Sequence, residues 1–258
     1  MAVSTRLPAR RSPPIGFAHR GAKAHARENT IESFVLARRL GASGLESDAW
    51  VSRDGEVVLD HDGVVGRLRK RPIVEFDRRL LPGHMPTLEE LYLACGTDFE
   101  LALDIKDRAA IEGVVAIAKR YRATDRLWVC HHDWRVVASW RSLDPDIRLV
   151  DSTRLRLMKD GAERRAAQLA EAGIDAVNLH VSDWTGGLTT LFHRFERYAF
   201  AWDAQFERQL EELVDMGIDG VFSDHTDRMT GVGGQMRTNA RPTMRSSSMG
   251  PKTRPSDE

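Results

Sequence analysis

The chain has 258 residues, 41% of them hydrophobic and 29% charged, and its 38 basic and 38 acidic side chains cancel to a formal net charge of zero. That composition excludes a disordered, fibrous or membrane-embedded polypeptide and suits one globular domain near the ~250 residues of an α/β barrel. Neutrality gives no electrostatic reason to expect nucleic acid or an anionic membrane as partner, so any anion recognition has to be local.

Residues 1–14 carry Arg6, Arg10 and Arg11 without the apolar core of a signal peptide, and they read as an N-terminal extension. No later stretch approaches the ~20 apolar residues of a membrane span. The expectation is a cytoplasmic protein without a transmembrane segment, with Cys95 and Cys130 as reduced thiols. Nothing in the sequence indicates an oligomeric state. From residue 15 onward, short apolar runs alternate with helix-length amphipathic stretches, the pattern of β/α units around a parallel sheet. Strands are expected at 15–18, 44–51, 99–105, 127–130, 147–150, 176–179, 198–202 and 220–223, and helices at 30–40, 108–121, 134–142, 159–172, 188–197 and 206–216. Gly41, Gly173 and Gly217 stand where helices should stop, so the repeated phrases AGIDAV and MGIDGV mark a helix end followed by a strand start. Eight such pairs predict a (β/α)8 TIM barrel of the α/β class over 15–230. A small insertion, about residues 56–86, lies between the second and third β/α units. A further helix begins at Thr87, where Thr87 and Glu90 have capping-box spacing. Residues 231–258 are rich in Gly, Ser, Thr, Pro and Arg without apolar period and are expected to be a disordered tail.

Active sites of such barrels lie at the C-terminal ends of the strands, so polar residues that end an apolar run matter most. The first strand runs into His19, Arg20 and Gly21; the second carries Glu46 and Asp48, the third Asp104 and Lys106. Residues two apart on a strand share a face, so Glu46 and Asp48 project together, as do Asp104 and Lys106. Carboxylates crowded at a barrel mouth repel unless a cation neutralises them, and three hard oxygen donors without a thiolate suit Mg2+ or Ca2+. His61, after the run Val57, Val58, Leu59, Asp60, is a second histidine at the end of an apolar segment. His131, His132, Asp151 and His180 also end strands and are further candidates for the pocket.

Taken in order, His19-Arg20-Gly21, Glu28-Asn29-Thr30, Glu46 with Asp48, Asp54-Gly55, His61-Asp62, the PTLEEL run from Pro86, Asp104 with Lys106, and DGVFSD from Asp219 resemble the signature of the glycerophosphodiester phosphodiesterases. The resemblance implies a metal-dependent hydrolase that cleaves a small-molecule glycerophosphodiester to glycerol 3-phosphate and an alcohol, with a place in lipid metabolism. By position it makes His19 and His61 the acid and base, Glu46, Asp48 and Asp104 the metal ligands, and Arg20 and Lys106 the phosphate-binding pair. Trp202 and His180 would border the substrate pocket, with Glu28 and Asn29 in support. This chain departs from the family pattern at Arg27, where proline is usual, at Asp104, where glutamate is usual, and over Asp203-Ala204-Gln205. The alternatives are a phospholipase D-like hydrolase of lysophospholipids or sphingolipids, favoured if Leu80, Leu81, Met85 and Trp184 form an apolar mouth, or a non-catalytic phosphate-binding barrel.

Overall fold

Eight short apolar segments pair side by side in parallel and close on themselves, as seen in a computed structural model that describes residues 7–66 and 68–231. In chain order they are β1 (Ile15–His19), β2 (Gly44–Val51), β6 (Glu100–Ile105), β7 (Leu127–His131), β8 (Arg148–Ser152), β9 (Ala176–His180), β10 (Tyr198–Trp202) and β11 (Gly220–Ser223). Pairing of β1 with both β2 and β11 completes the ring. Every expected strand is present within one or two residues at each end. Outside the ring run α1 (Ile31–Arg39), α2 (Leu88–Cys95), α3 (Ala110–Arg120), α4 (Trp134–Ser139), α5 (Ala162–Glu171), α6 (Gly186–Arg194) and α7 (Glu207–Asp215). Thr30 caps α1, and Thr87 with Glu90 forms the expected reciprocal box at the start of α2. The expected tail at 231–258 lies, but for its first residue, outside the described residues.

The inserted segment leaves the barrel after β2. It adds β3 (Val57–Leu59) antiparallel to β2, a two-stranded ribbon of β4 (Val64–Val65) and β5 (Arg71–Pro72), and two 3-10 turns before the chain re-enters at α2. Val58, Ile73, Leu81 and Met85 bury a small core of their own there, with Trp50 packed against it.

Alternation along the strands separates two apolar regions. Outward residues such as Leu45, Leu101, Leu103, Val129, Leu149 and Val177 pack against the helices. Inward residues Ile15, Phe17, Ala102, Trp128, Val150, Phe200 and Phe222 fill the barrel floor. Phe17 stacks on Phe222 with ring centroids 4.5 Å apart, and Phe200 meets Trp128 edge-on at 4.9 Å. Space for these rings comes from Gly220, where a Cβ would stand 2.8 Å from Phe200. Beneath them the repeated GID phrases do structural work. Asp219, wholly buried, accepts from the backbone N–H groups of Arg11 and Ala199 and from the ring of His193, and Asp175 accepts from Leu149 N–H and Arg141. The aromatic floor closes the barrel from below and leaves the upper ends of the inward faces to form the site. Among the described residues no helix is long and apolar enough to cross a membrane.

Removing this plug should be costly. Phe200→Ala opens a cavity between Phe17, Trp128 and Phe222 and is expected to lower unfolding free energy by about 3–5 kcal/mol, read as a shifted denaturant midpoint.

Candidate active site

The layer above the floor belongs to the polar residues that follow the inward apolar ones. On β1 the inward series is Ile15, Phe17, His19; on β2 it is Gly44, Glu46, Asp48; on β6 it is Ala102, Asp104. Register sets His19 beside Glu46 and Asp48 beside Asp104. A cavity of about 450 Å³ opens here, lined by His19, Arg20, Glu46, Asp48, His61, Asp104 and Lys106 on one side and by Cys130, Ser152, Asn178, Trp202, Asp203, Gln205 and Phe222 on the other.

Glu46 and Asp48 are buried to 7% and 3% exposure. Burial, with Asp48 and Asp104 nearby, pushes the Glu46 carboxyl up to about 7 against the pull of His19 and the Arg20 N–H, and burial likewise raises Asp48. Lys106 supplies compensating charge: its Nζ lies 2.6 Å from Asp104 Oδ2 and 3.2 Å from Asp48 Oδ1. Asp48 Oδ2 is buried with no hydrogen-bond partner. An orphaned carboxylate oxygen among three oxygen-donor side chains is the environment a divalent cation relieves, so the donor set fits a hard metal ion.

The two histidines are built alike. His19 Nδ1 is 2.6 Å from Asp224 Oδ1, which leaves Nε2 toward the cavity, 3.8 Å from Glu46 Oε2. His61 Nδ1 is 2.8 Å from Asp62 Oδ1. Each aspartate is held below the ordinary carboxylate range, Asp62 chiefly by its hydrogen bond to His61, and Asp224 by His19 and Lys23 acting against its partial burial. For His19, burial disfavours the charged ring, but Glu46 and Asp224 together prevail and raise its pKa.

Local backbone geometry sets these positions. Arg20 has φ 53°, and this left-handed turn aims its N–H at Glu46 Oε2, 2.9 Å away. Its side chain then lies flat, Nη1 3.0 Å from Glu28 Oε2 and Nε 3.7 Å from Asp48 Oδ2, with Nε lacking a hydrogen-bond partner. Asn29, also left-handed at φ 51°, accepts from Ser47 Oγ at 2.7 Å on the outer face of β2 and so ties the loop after β1 to the barrel wall. Capping of α1 falls to Thr30, and Glu28 is held by Arg20 and by Lys23 at 3.6 Å. His61 sits in a tight turn in which Gly63 N–H donates to Asp60 Oδ2 and Trp50 Nε1 donates to Asp60 O. Gly63 has φ 68°, and a Cβ there would lie 2.4 Å from the Trp50 ring.

All seven residues proposed from sequence for acid-base chemistry, metal and phosphate therefore meet in one cavity, with Trp202 on its far wall. His180 stands behind that wall, edge-on to Trp202 with centroids 4.6 Å apart and Nε2 3.1 Å from Asp203 Oδ2. His131 and Asp151 do not reach the cavity. They lie on the outward faces of β7 and β8, where Asp151 is sealed against Arg165 at 2.7 Å. The apolar mouth does not form either: Leu81, Met85 and Trp184 are buried and only Leu80 is exposed. Asp224, Gln205, Asn178 and Ser152 are site residues that the sequence reading did not single out. For Asp224 the clue was present, since it lies two residues beyond the inward Phe222. Gln205 becomes legible only in the fold, where it accepts from Asp224 N–H at 3.0 Å and donates to Asp203 at 3.1 Å.

The chain is similar to known proteins over most of its length. The sequence is 28% identical over 242 residues to "Probable glycerophosphodiester phosphodiesterase 2" of Mycobacterium tuberculosis, covering 84% of this chain and 90% of that one. It is 24% identical over 248 residues to a glycerophosphodiester phosphodiesterase of Bacillus altitudinis, covering 86% and 98%. In fold it is similar to an Oleispira antarctica phosphodiesterase solved with the product sn-glycerol-3-phosphate, with a TM-score of 0.75 at 21% identity over 85% of this chain and 96% of that one. Residues 19–228 match the Glycerophosphoryl diester phosphodiesterase family, from the first histidine of the cavity to just past its last aspartate. With these residues gathered at the mouth of the barrel, the chain belongs to that family and is a phosphoric diester hydrolase.

Proposed function

We propose that the chain hydrolyses glycerophosphodiesters to glycerol 3-phosphate and an alcohol, with His19 and His61 as the proton-transferring pair and a divalent cation, Mg2+ or Ca2+, held by Glu46, Asp48 and Asp104. The observation that carries this reading is the pair of histidines facing one cavity, each backed at Nδ1 by an aspartate and each left with Nε2 for the substrate. When bound, the cation supplies a Lewis acid for the phosphoryl group and a means of orienting the nucleophile.

The remaining work falls to the protein's own side chains. The Arg20 guanidinium and Lys106 Nζ offer donors to the non-bridging oxygens. Three carboxylates with a divalent cation would leave one negative charge, which these two cations turn into one net positive charge, suited to a monoanionic diester better than a dianionic monoester. One histidine takes a proton from the attacking oxygen while the other gives one to the departing alkoxide. The aspartates behind them fix the tautomer and stabilise the imidazolium form. Opposite the acids, Ser152, Asn178, Asp203 and Gln205 present hydroxyl, amide and carboxylate groups around Trp202. That wall suits a hydroxyl-bearing, deacylated alcohol better than an acyl chain.

Chelation is expected to abolish diester hydrolysis and Mg2+ or Ca2+ to restore it. Asp48→Asn and Glu46→Gln should lose turnover and bound metal together, as measured by activity and elemental analysis; full turnover in the metal-free protein would refute the metal assignment.

His19→Ala and His61→Ala should each reduce kcat by on the order of a hundredfold to ten-thousandfold with metal content unchanged. A diester with a 4-nitrophenyl leaving group should rescue the variant that lacks the acid but not the one that lacks the base. A loss below about tenfold in both variants would remove the histidines from the chemistry.

Gly63→Ala should act in the same direction through geometry alone. The new methyl must displace the His61 turn from Trp50, so kcat falls while the global unfolding midpoint changes little.

A further inference from the structure

On the outer side of the His19–Asp224 pair, the loop after β1 and the chain after β11 come together a second time. Ala24 N–H donates to Asp224 O at 3.1 Å. Immediately beyond, His25, His225 and Asp227 converge. His25 Nε2 is 2.8 Å from Asp227 Oδ1, the His25 and His225 rings stand edge to face with centroids 6.3 Å apart, and one donor atom from each of the three lies within 4.8 Å of the others. An ion pair between His25 and Asp227 accounts for two of these groups. It leaves the third unexplained, because the ring of His225 makes no hydrogen bond among the described residues. None of the three lines the catalytic cavity.

We propose that His25, His225 and Asp227 form a second metal site, separate from the cavity acids and selective for Zn2+. Two imidazoles and a carboxylate are donors for a borderline ion, whereas the oxygen-only set in the cavity suits Mg2+ or Ca2+. Tetrahedral zinc with bonds near 2.0–2.1 Å needs its donors about 3.3 Å apart. The His25–Asp227 pair opens by a few tenths of an ångström to reach that spacing, and His225 closes onto it by side-chain rotation. His25 and Asp227 are exposed and His225 half-buried, so solvent can supply the fourth ligand. The ion would clip together two segments far apart in the sequence, the loop that carries Arg20, Lys23 and Glu28 and the turn that presents Asp224 to His19, adding to the contacts of Ala24 and Lys23 with Asp224. Its role is structural, holding the rim of the site together.

The test is zinc titration of the full chain with the cavity site kept saturated with Mg2+, followed by elemental analysis and thermal unfolding. Wild type should bind one equivalent of Zn2+ and gain on the order of 5 °C in Tm at about a hundredfold excess over Kd. Co2+ in its place should give the intense visible absorption of a tetrahedral centre. His25→Ala and His225→Ala should lose the equivalent, the Tm gain and the Co2+ spectrum while keeping Mg2+-supported diester hydrolysis, and Asp48→Asn should keep the zinc. If an alanine variant already has a lowered metal-free Tm, His225→Gln and the wild-type Co2+ spectrum decide the matter. Absence of bound zinc in wild type overturns the site, as does zinc retained by the His25→Ala/His225→Ala double variant. Zinc lost on Asp48→Asn places the ion in the cavity and overturns it equally.

Discussion

Two buried carboxylates on one face of a strand, with a third, part-exposed, beside them on the next, are forced together by barrel closure at the floor of one cavity. Most of the site is organised around that constraint. Lys106 is drawn inward across Asp104 and Asp48, the Arg20 backbone adopts a left-handed turn to donate to Glu46, and the guanidinium of Arg20 is laid against Asp48. Even so, one Asp48 oxygen stays orphaned and the Glu46 carboxyl sits near 7. A buried group in that condition destabilises the fold, and the cation proposed above would offset that cost.

The same economy of charge recurs behind the histidines. In both histidines one ring nitrogen is committed to an aspartate, His19 Nδ1 to the sequence-distant Asp224 and His61 Nδ1 to the adjacent Asp62, the arrangement that the proposed proton transfer would use. Asp224 is held by Gln205 and Lys23, and His61 by a turn locked to Trp50. Arg20 and Asn29, left-handed non-glycine residues, lie in the loop after β1 that aims these groups, and Gly63 takes the left-handed position in the turn beside His61, while the aromatic floor below is conventional close packing.

Departures from the family pattern acquire physical meaning in this setting. Arg27 reaches His84 of the inserted segment, Nη2 to Nε2 at 2.7 Å, and so joins the start of α1 to the insertion that carries His61. Asp104, one methylene shorter than the glutamate usual in the family pattern, holds Lys106 Nζ at 2.6 Å. Asp203 and Gln205 form a hydrogen-bonded chain with Asp224 and His180, turning the far rim polar.

Alternating apolar runs, helix stops and the capping box at Thr87 made the eight strands and most helices readable from sequence, because those signals are local and the period of a strand determines which residues share a face. His19, Glu46, Asp48, His61, Asp104 and Lys106 were readable for the same reason, as polar ends of apolar runs in a fold whose active sites lie at strand ends. Long-range pairing was not readable. Whether Asp151 or Asp104 faces the axis depends on the inward or outward phase of each strand, and that phase is set by closure of the sheet rather than by the strand's own composition. Asp224 behind His19, Gln205 behind Asp224, and His25 beside His225 join residues roughly 20 to 200 positions apart, contacts that exist only once neighbouring strands pair and the first strand closes against the last.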